Sequence, residues 1–158
     1  MFLIDYQQNQ TTSSENYNPR PIPTMSKILI IDDEAAILDL MTKLCEGLGH
    51  DVLPFQAGRD GVDALHKENP DLLIVDLRIG DMNGLQIIQE CGEKYPEMPI
   101  IMVTGYGSVE TAVEAMKLGA FDYLTKPFEL DDLKRTIKRA MQRSGVVETE
   151  VVPKAAGE

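Results

Sequence analysis

The sequence predicts a doubly wound α/β sandwich, a parallel sheet with helices on both faces, and three observations carry that expectation. A branched apolar run followed by a helix-period segment recurs five times between residues 27 and 143. The clearest run, Leu72-Leu73-Ile74-Val75, lacks polar alternation and so reads as a strand covered on both faces. Four of the runs end in residues able to do chemistry: Asp32-Asp33, Asp76, Thr104 and Lys126. Ligands bind beyond the carboxyl ends of such strands, so three carboxylates, a hydroxyl and an amine are expected at one edge.

Taken in order, Lys27 to Ile31 is the first strand. Glu34 to Leu48 then sets Ile37, Leu40, Met41, Leu44 and Leu48 at the spacing of one helical face, with Gly47 and Gly49 closing it. Asp51 to Phe55 is a short strand, and Gly58 to Asn69 a helix with Val62 and Leu65 inward, stopped by Asn69-Pro70. The central strand leads into Asp76, a loop from Leu77 to Gly84, and a third helix from Leu85 to about Tyr95. Pro96 and Pro99 bracket the turn into the strand Ile100 to Val103. Val109, Ala112, Val113 and Met116 mark a fourth helix closed by Gly119, Tyr123 to Thr125 a fifth strand, and Leu130, Leu133, Ile137, Ala140 and Met141 a fifth helix. Right-handed crossovers distribute the helices over both faces, but the strand order is not written in the sequence.

Residues 26–143 thus form one domain. Residues 1–25, rich in Gln, Asn, Ser, Thr and Pro, are expected to be a disordered arm, and residues 144–158 a flexible tail. Because Met25-Ser26 leads directly into the first strand and looks like the beginning of a compact domain, the sequence leaves open whether the first 24 residues are native.

Composition narrows the function. The net charge is -11, with acidic residues spread along the chain, so neither nucleic acid nor an anionic membrane surface is an expected partner. Cys45 and Cys91 fall in helical segments without metal-ligand spacing, consistent with buried thiols in a reducing compartment. No apolar stretch is long enough to span a bilayer, and Met1 to Ile4, cut short by Asp5, is no signal peptide. The expected location is the cytoplasm.

Asp32, Asp33 and Asp76 at neighbouring strand ends would repel one another unless a cation sat among them. Hard oxygen ligands, with no His or thiolate, favour Mg²⁺. A metal beside a carboxylate lets a phosphate approach, which makes Asp76 a phosphoryl acceptor, with Lys126 and the Thr104 hydroxyl reaching further phosphoryl oxygens. Each residue alone has a plainer reading: Asp32-Asp33 as a helix cap, Thr104 as a turn hydroxyl, Lys126 as a surface lysine, Tyr123 as an aromatic at the core's edge. His50 and His66 read as ordinary solvated residues. It is the joint occurrence at strand ends that favours the chemical reading.

Over about residues 26 to 143 the chain resembles a two-component response regulator receiver domain. The matching pieces are Ile30-Ile31-Asp32-Asp33-Glu34, Ile74-Val75-Asp76, Val103-Thr104-Gly105, and Gly119-Ala120-Phe121-Asp122-Tyr123-Leu124-Thr125-Lys126-Pro127-Phe128. The stretch from Thr104-Gly105-Tyr106-Gly107-Ser108 to Pro127-Phe128 is especially similar to receivers of the NtrC and DctD type. The resemblance implies a flavodoxin-like (CheY-like) fold of five parallel strands and five helices. It implies Mg²⁺ held by Asp33, Asp76 and the backbone carbonyl of Arg78, with Asp32 acting through water. It implies a sensor histidine kinase or histidine phosphotransfer protein as donor to Asp76, and a downstream protein effector. A phosphorylation-dependent homodimer is among the partners it allows, and the chain's only catalysis would be its own phosphorylation and dephosphorylation. Thr104 and Tyr123 would form the switch, altering the face of the fourth helix, fifth strand and fifth helix, and the Lys126-Pro127 bond would be cis. Arg78 and Tyr106 occupy positions that tune the lifetime of the phosphoryl group, and shielding it from water is their expected role. One departure stands out: Gly80 occupies the place, four residues after the acceptor, where the family commonly has proline.

Other functions fit less well. A haloacid dehalogenase type phosphatase with Asp76 as nucleophile would carry an Asp two residues on, where this chain has Arg78. A flavin binder would need a Ser/Thr/Gly-rich loop after the first strand, where Asp33-Glu34 would repel phosphate. A degenerate, unphosphorylated receiver conflicts with the complete residue set. A receiver fragment of a longer NtrC-type transcriptional activator stays open, although the 15 residues past Arg143 favour a stand-alone protein.

Overall fold

The computed structural model describes residues 26–143; the expected arm and tail lie outside the described residues. Five strands, β1 (Lys27–Ile31), β2 (Asp51–Phe55), β3 (Leu72–Val75), β4 (Ile100–Thr104) and β5 (Asp122–Thr125), form one parallel sheet in the order β2-β1-β3-β4-β5. Among the described residues five helices alternate with them: α1 (Ala35–Gly47), α2 (Gly58–Glu68), α3 (Gly84–Lys94), α4 (Val109–Lys117) and α5 (Leu130–Arg143). Residues 78–79 and 82–83 add a short antiparallel hairpin between β3 and α3.

The central strands are apolar on both faces because two layers of helix cover them. Every residue of β3 and β4 is buried. Odd-numbered β3 and β1 residues, Leu73, Val75, Leu29 and Ile31, pack with Val62, Leu65, Ile87, Ile88 and Cys91 of α2 and α3. Their even-numbered neighbours pack with Leu38, Met41 and Cys45 of α1 and Leu133, Ile137 and Met141 of α5. This is the period-2 alternation of strand side chains applied to a sheet buried on both sides. The edge strands β2 and β5 are only partly buried.

Helix phase departs from expectation in two places. In α1 the buried stripe is Leu38, Met41 and Cys45, while Leu40 is exposed. With apolar residues on several sides of this helix, the pattern marks a helix without specifying the angle at which it meets the sheet. In α4 the difference is larger: only Ala115 is buried, while Val109 (81%), Val113 (48%) and Met116 (47%) face solvent. The small Ala115 allows α4 to lie against the sheet, and the larger residues form an outward apolar stripe. His66 also differs from a solvated residue, being half-buried with Nδ1 2.6 Å from the Tyr95 hydroxyl; His50 is half-buried as well.

Candidate functional site

The carboxyl ends of β1, β3, β4 and β5 converge. Asp76 follows β3 with its amide donating to the Ile31 carbonyl (3.1 Å), and the Leu77 amide donates to Asp76 Oδ1 (2.6 Å). Asp32, next door after β1, donates its amide to Phe55 (3.0 Å) and accepts from the Glu34 amide at Oδ1 (2.9 Å). Neither Asp32 nor Asp33 caps α1, whose N-cap position is Glu34 without a side-chain cap. Asp32 and Asp76 are buried and Asp33 is exposed, yet carboxylate oxygens from all three lie within 4.8 Å of one another.

One ammonium faces this group. Lys126 enters from the end of β5, its amide donating to the Thr104 carbonyl (2.9 Å). Its Nζ lies 3.0 Å from Asp76 Oδ2, 2.8 Å from Asp32 Oδ2 and 2.7 Å from Glu34 Oε1. Burial works to lower the Lys126 pKa, but the bonds to Asp32, Glu34 and Asp76 outweigh it and raise it above the ordinary 10.5. Burial pushes the Asp32 carboxyl above its usual 3.8 despite the pull of Lys126. The contact of Lys126 with Asp32 is an ion pair without hydrogen-bond alignment, and Asp32 Oδ2 is buried with no directed donor. Three clustered carboxylates facing one ammonium, with a buried Asp32 oxygen that accepts no aligned hydrogen bond, form the environment a hard divalent cation satisfies. The site therefore fits a metal by its donor chemistry.

Thr104 ends β4 between β3 and β5, buried, with Oγ1 accepting from the Tyr106 amide (3.1 Å). The Lys126-Pro127 bond is cis. Gly84 comes so close to the backbone that a Cβ there would stand 2.2 Å from the Asp76 carbonyl oxygen. Over the mouth, the Arg78 guanidinium lies on the Tyr106 ring, 4.6 Å from its centre. Both border a cleft of about 800 Å³, shared with Asp33, Glu34 and Gln86. Glu34 as a third partner of Lys126 was not visible in the sequence, where it looked like the start of a helix.

The family model described as response regulator receiver domain matches residues 28–138. The chain belongs to the response regulator receiver family. This receiver is 34% identical over 123 residues to the transcriptional regulatory protein ZraR of Escherichia coli O157:H7, covering 78% of this chain and 28% of ZraR. It thus spans about a quarter of that relative's length. Among solved structures, a CheY-like receiver domain protein from Methanospirillum hungatei JF-1 matches with TM-score 0.74 at 32% identity, over 77% of this chain and 97% of that one. The beryllofluoride-activated NtrC4 receiver domain dimer matches with TM-score 0.72 at 30% identity, over 76% and 99%. The expected CheY-like fold is the one the receiver has, and family membership implies a phosphoryl donor and a downstream effector.

In this receiver the Tyr123 ring is half-buried against the α2–α3 side of the core, its hydroxyl 3.4 Å from Thr111 Oγ1. The hydroxyl sits directly beneath Gly107: a Cβ added there would lie 1.5 Å from it and 3.2 Å from Thr104 Cγ2. Tyr123, Gly107 and Thr104 thus share one packed spot, and Gly107 enters it only because it lacks a side chain. Ser108 and Thr111 close the start of α4 with a capping box.

Proposed function

We propose that this receiver accepts a phosphoryl group on Asp76 from a sensor histidine kinase or a histidine phosphotransfer protein, and that Mg²⁺ is required. The observation that carries this reading is the buried Asp76 carboxylate, clustered with those of Asp32 and Asp33 and 3.0 Å from Lys126 Nζ. Asp33, Asp76 and the Arg78 backbone carbonyl would hold the ion, with Asp32 acting through water. Bound there, Mg²⁺ supplies the positive charge that lets an anionic phosphoryl group approach an anionic nucleophile. A carboxylate oxygen of Asp76 forms the new bond to phosphorus as the bond to the donor atom breaks. Lys126, already paired to Asp76, follows the charge onto a phosphoryl oxygen, and the Thr104 hydroxyl donates to another. Hydrolysis of the aspartyl phosphate resets the site, so the chain's catalysis is confined to its own phosphorylation and dephosphorylation.

As Thr104 turns toward the phosphoryl group it gives up its bond from the Tyr106 amide, and Tyr123 follows into the space it leaves. The readout is the face of α4, β5 and α5. The outward stripe of Val109, Val113 and Met116 supports this, since exposed apolar clusters mark protein contacts. The recipient is a protein surface: a separate effector, an adjoining domain of an NtrC-type activator, or a second copy, as in the activated NtrC4 dimer. We place the protein in the cytoplasm, where such donors act; no helix among the described residues is long and apolar enough to cross a membrane.

Incubation with Mg²⁺ and acetyl phosphate, followed by intact mass measurement, tests the reading. The unsubstituted protein should gain about 80 Da, the mass of one phosphoryl group, and Asp76→Asn should not. Equal uptake by both would refute the assignment of the acceptor.

A further inference from the structure

The loop that carries Arg78 is held from outside. Asp81, at its tip, accepts from two amides of α2: Oδ1 from Gly58 (2.8 Å) and Oδ2 from Arg59 (2.9 Å). These are the first two amides of α2, orphaned by helix geometry. The N-cap residue of α2 is Ala57, which has no side-chain acceptor, so the cap comes from a residue more than twenty positions away. The same two amides hold the Asp81 carboxyl below its ordinary range. Beside it, Met82 packs on Gly58, where an added Cβ would stand 3.0 Å from Met82 Cβ. The 78–79/82–83 hairpin carries this anchorage to Arg78. Between them Gly80 offers no stiffness of its own.

We propose that Asp81 is a positioning residue for the metal centre: it fastens the acceptor loop to α2 so that the Arg78 backbone carbonyl is held ready for the ion. The inference rests on the Mg²⁺ site proposed above. The anchor supplies stiffness that Gly80 does not.

Calorimetric titration of the full chain with Mg²⁺ alone, with no phosphodonor, tests it. Removing a partner that orients a metal ligand weakens binding by about 10–100-fold, and Asp81→Ala should fall near the low end. Asp81→Asn, which keeps one acceptor, should lose less. Amide exchange should quicken at Gly58, Arg59 and residues 77–80 in Asp81→Ala. Asp71→Ala, which removes the bond from the Lys27 amide at the far edge of the sheet, serves as a destabilised control and should bind Mg²⁺ normally. Unchanged affinity in Asp81→Ala with quickened exchange at Gly58 and Arg59 would overturn the inference alone. So would an equal loss in Asp71→Ala, since that reports general loosening. Failure of the unsubstituted protein to bind Mg²⁺ would sink the site reading and this inference with it.

Discussion

Replacing Gly107 with alanine should force Tyr123 out of its place. The added Cβ would stand 1.5 Å from the phenolic oxygen and 2.7 Å from Cζ. Ordinary non-bonded contact needs about 3.5 Å, so the hydroxyl must retreat by about 2 Å, more than a packed ring can yield without leaving its rotamer. A buried aromatic covers roughly 150–250 Å², and Tyr123 is about half covered, so expulsion forfeits at most about 2–3 kcal/mol at 25 cal/mol per Å². Glycine-to-alanine replacement returns about 0.4–1 kcal/mol by restricting the unfolded chain, which leaves a net loss of about 1–2 kcal/mol. Urea unfolding should show that loss. Nuclear Overhauser contacts between the Tyr123 ring and the Thr104 methyl should disappear. Asp76 should still take up phosphoryl, but the shifts this causes at Val109, Val113 and Met116 should shrink. Retention of the ring contacts, with the 105–108 loop displaced instead, would refute this account of Gly107.

Further expectations concern the site itself. Replacing both Arg78 and Tyr106 with alanine should shorten the lifetime of the phosphorylated form, followed by radiolabel decay, because their stacked pair covers the mouth of the cleft; an unchanged rate would count against shielding. Asp32→Asn should stabilise the metal-free protein at pH 7. The Asp32 pKa is raised by folding, so its carboxyl favours the native state below 3.8 and loses that contribution as pH rises through the folded value. The advantage of the Asn variant in urea should therefore narrow as pH falls toward 3.8, and a variant less stable at pH 7 would contradict the burial argument. Gly80→Pro should tighten Mg²⁺ binding, measured by calorimetry, since residue 80 has no positive φ and a Cβ there meets nothing within 4 Å. Weaker binding would show that the loop needs its freedom.

Most of the fold could be read from the chain because each element announces itself locally. The unbroken apolar runs of β1, β3 and β4 require cover on both faces, and the observed sheet has it. Asp32, Asp76, Thr104 and Lys126 were legible for a related reason: a polar residue at the end of such a run has only one edge of the sheet to occupy. Helix orientation was less legible. An apolar stripe shows that a residue wants an apolar neighbour, without saying whether that is the sheet or another protein, and α4 turned its larger residues outward.

By itself, then, the sequence determined the kind and sequence of elements, the family, and which acidic, hydroxyl and amine groups would meet. Only the tertiary structure decided the order β2-β1-β3-β4-β5, the bond of Lys126 to Glu34 across the site, the cap that Asp81 places on α2, and the Tyr123 hydroxyl beneath Gly107. The physical reason is range: periodicity and turn chemistry act between residues a few positions apart. The strand order and these three contacts join parts of the chain far apart in sequence, which become neighbours only in the folded protein.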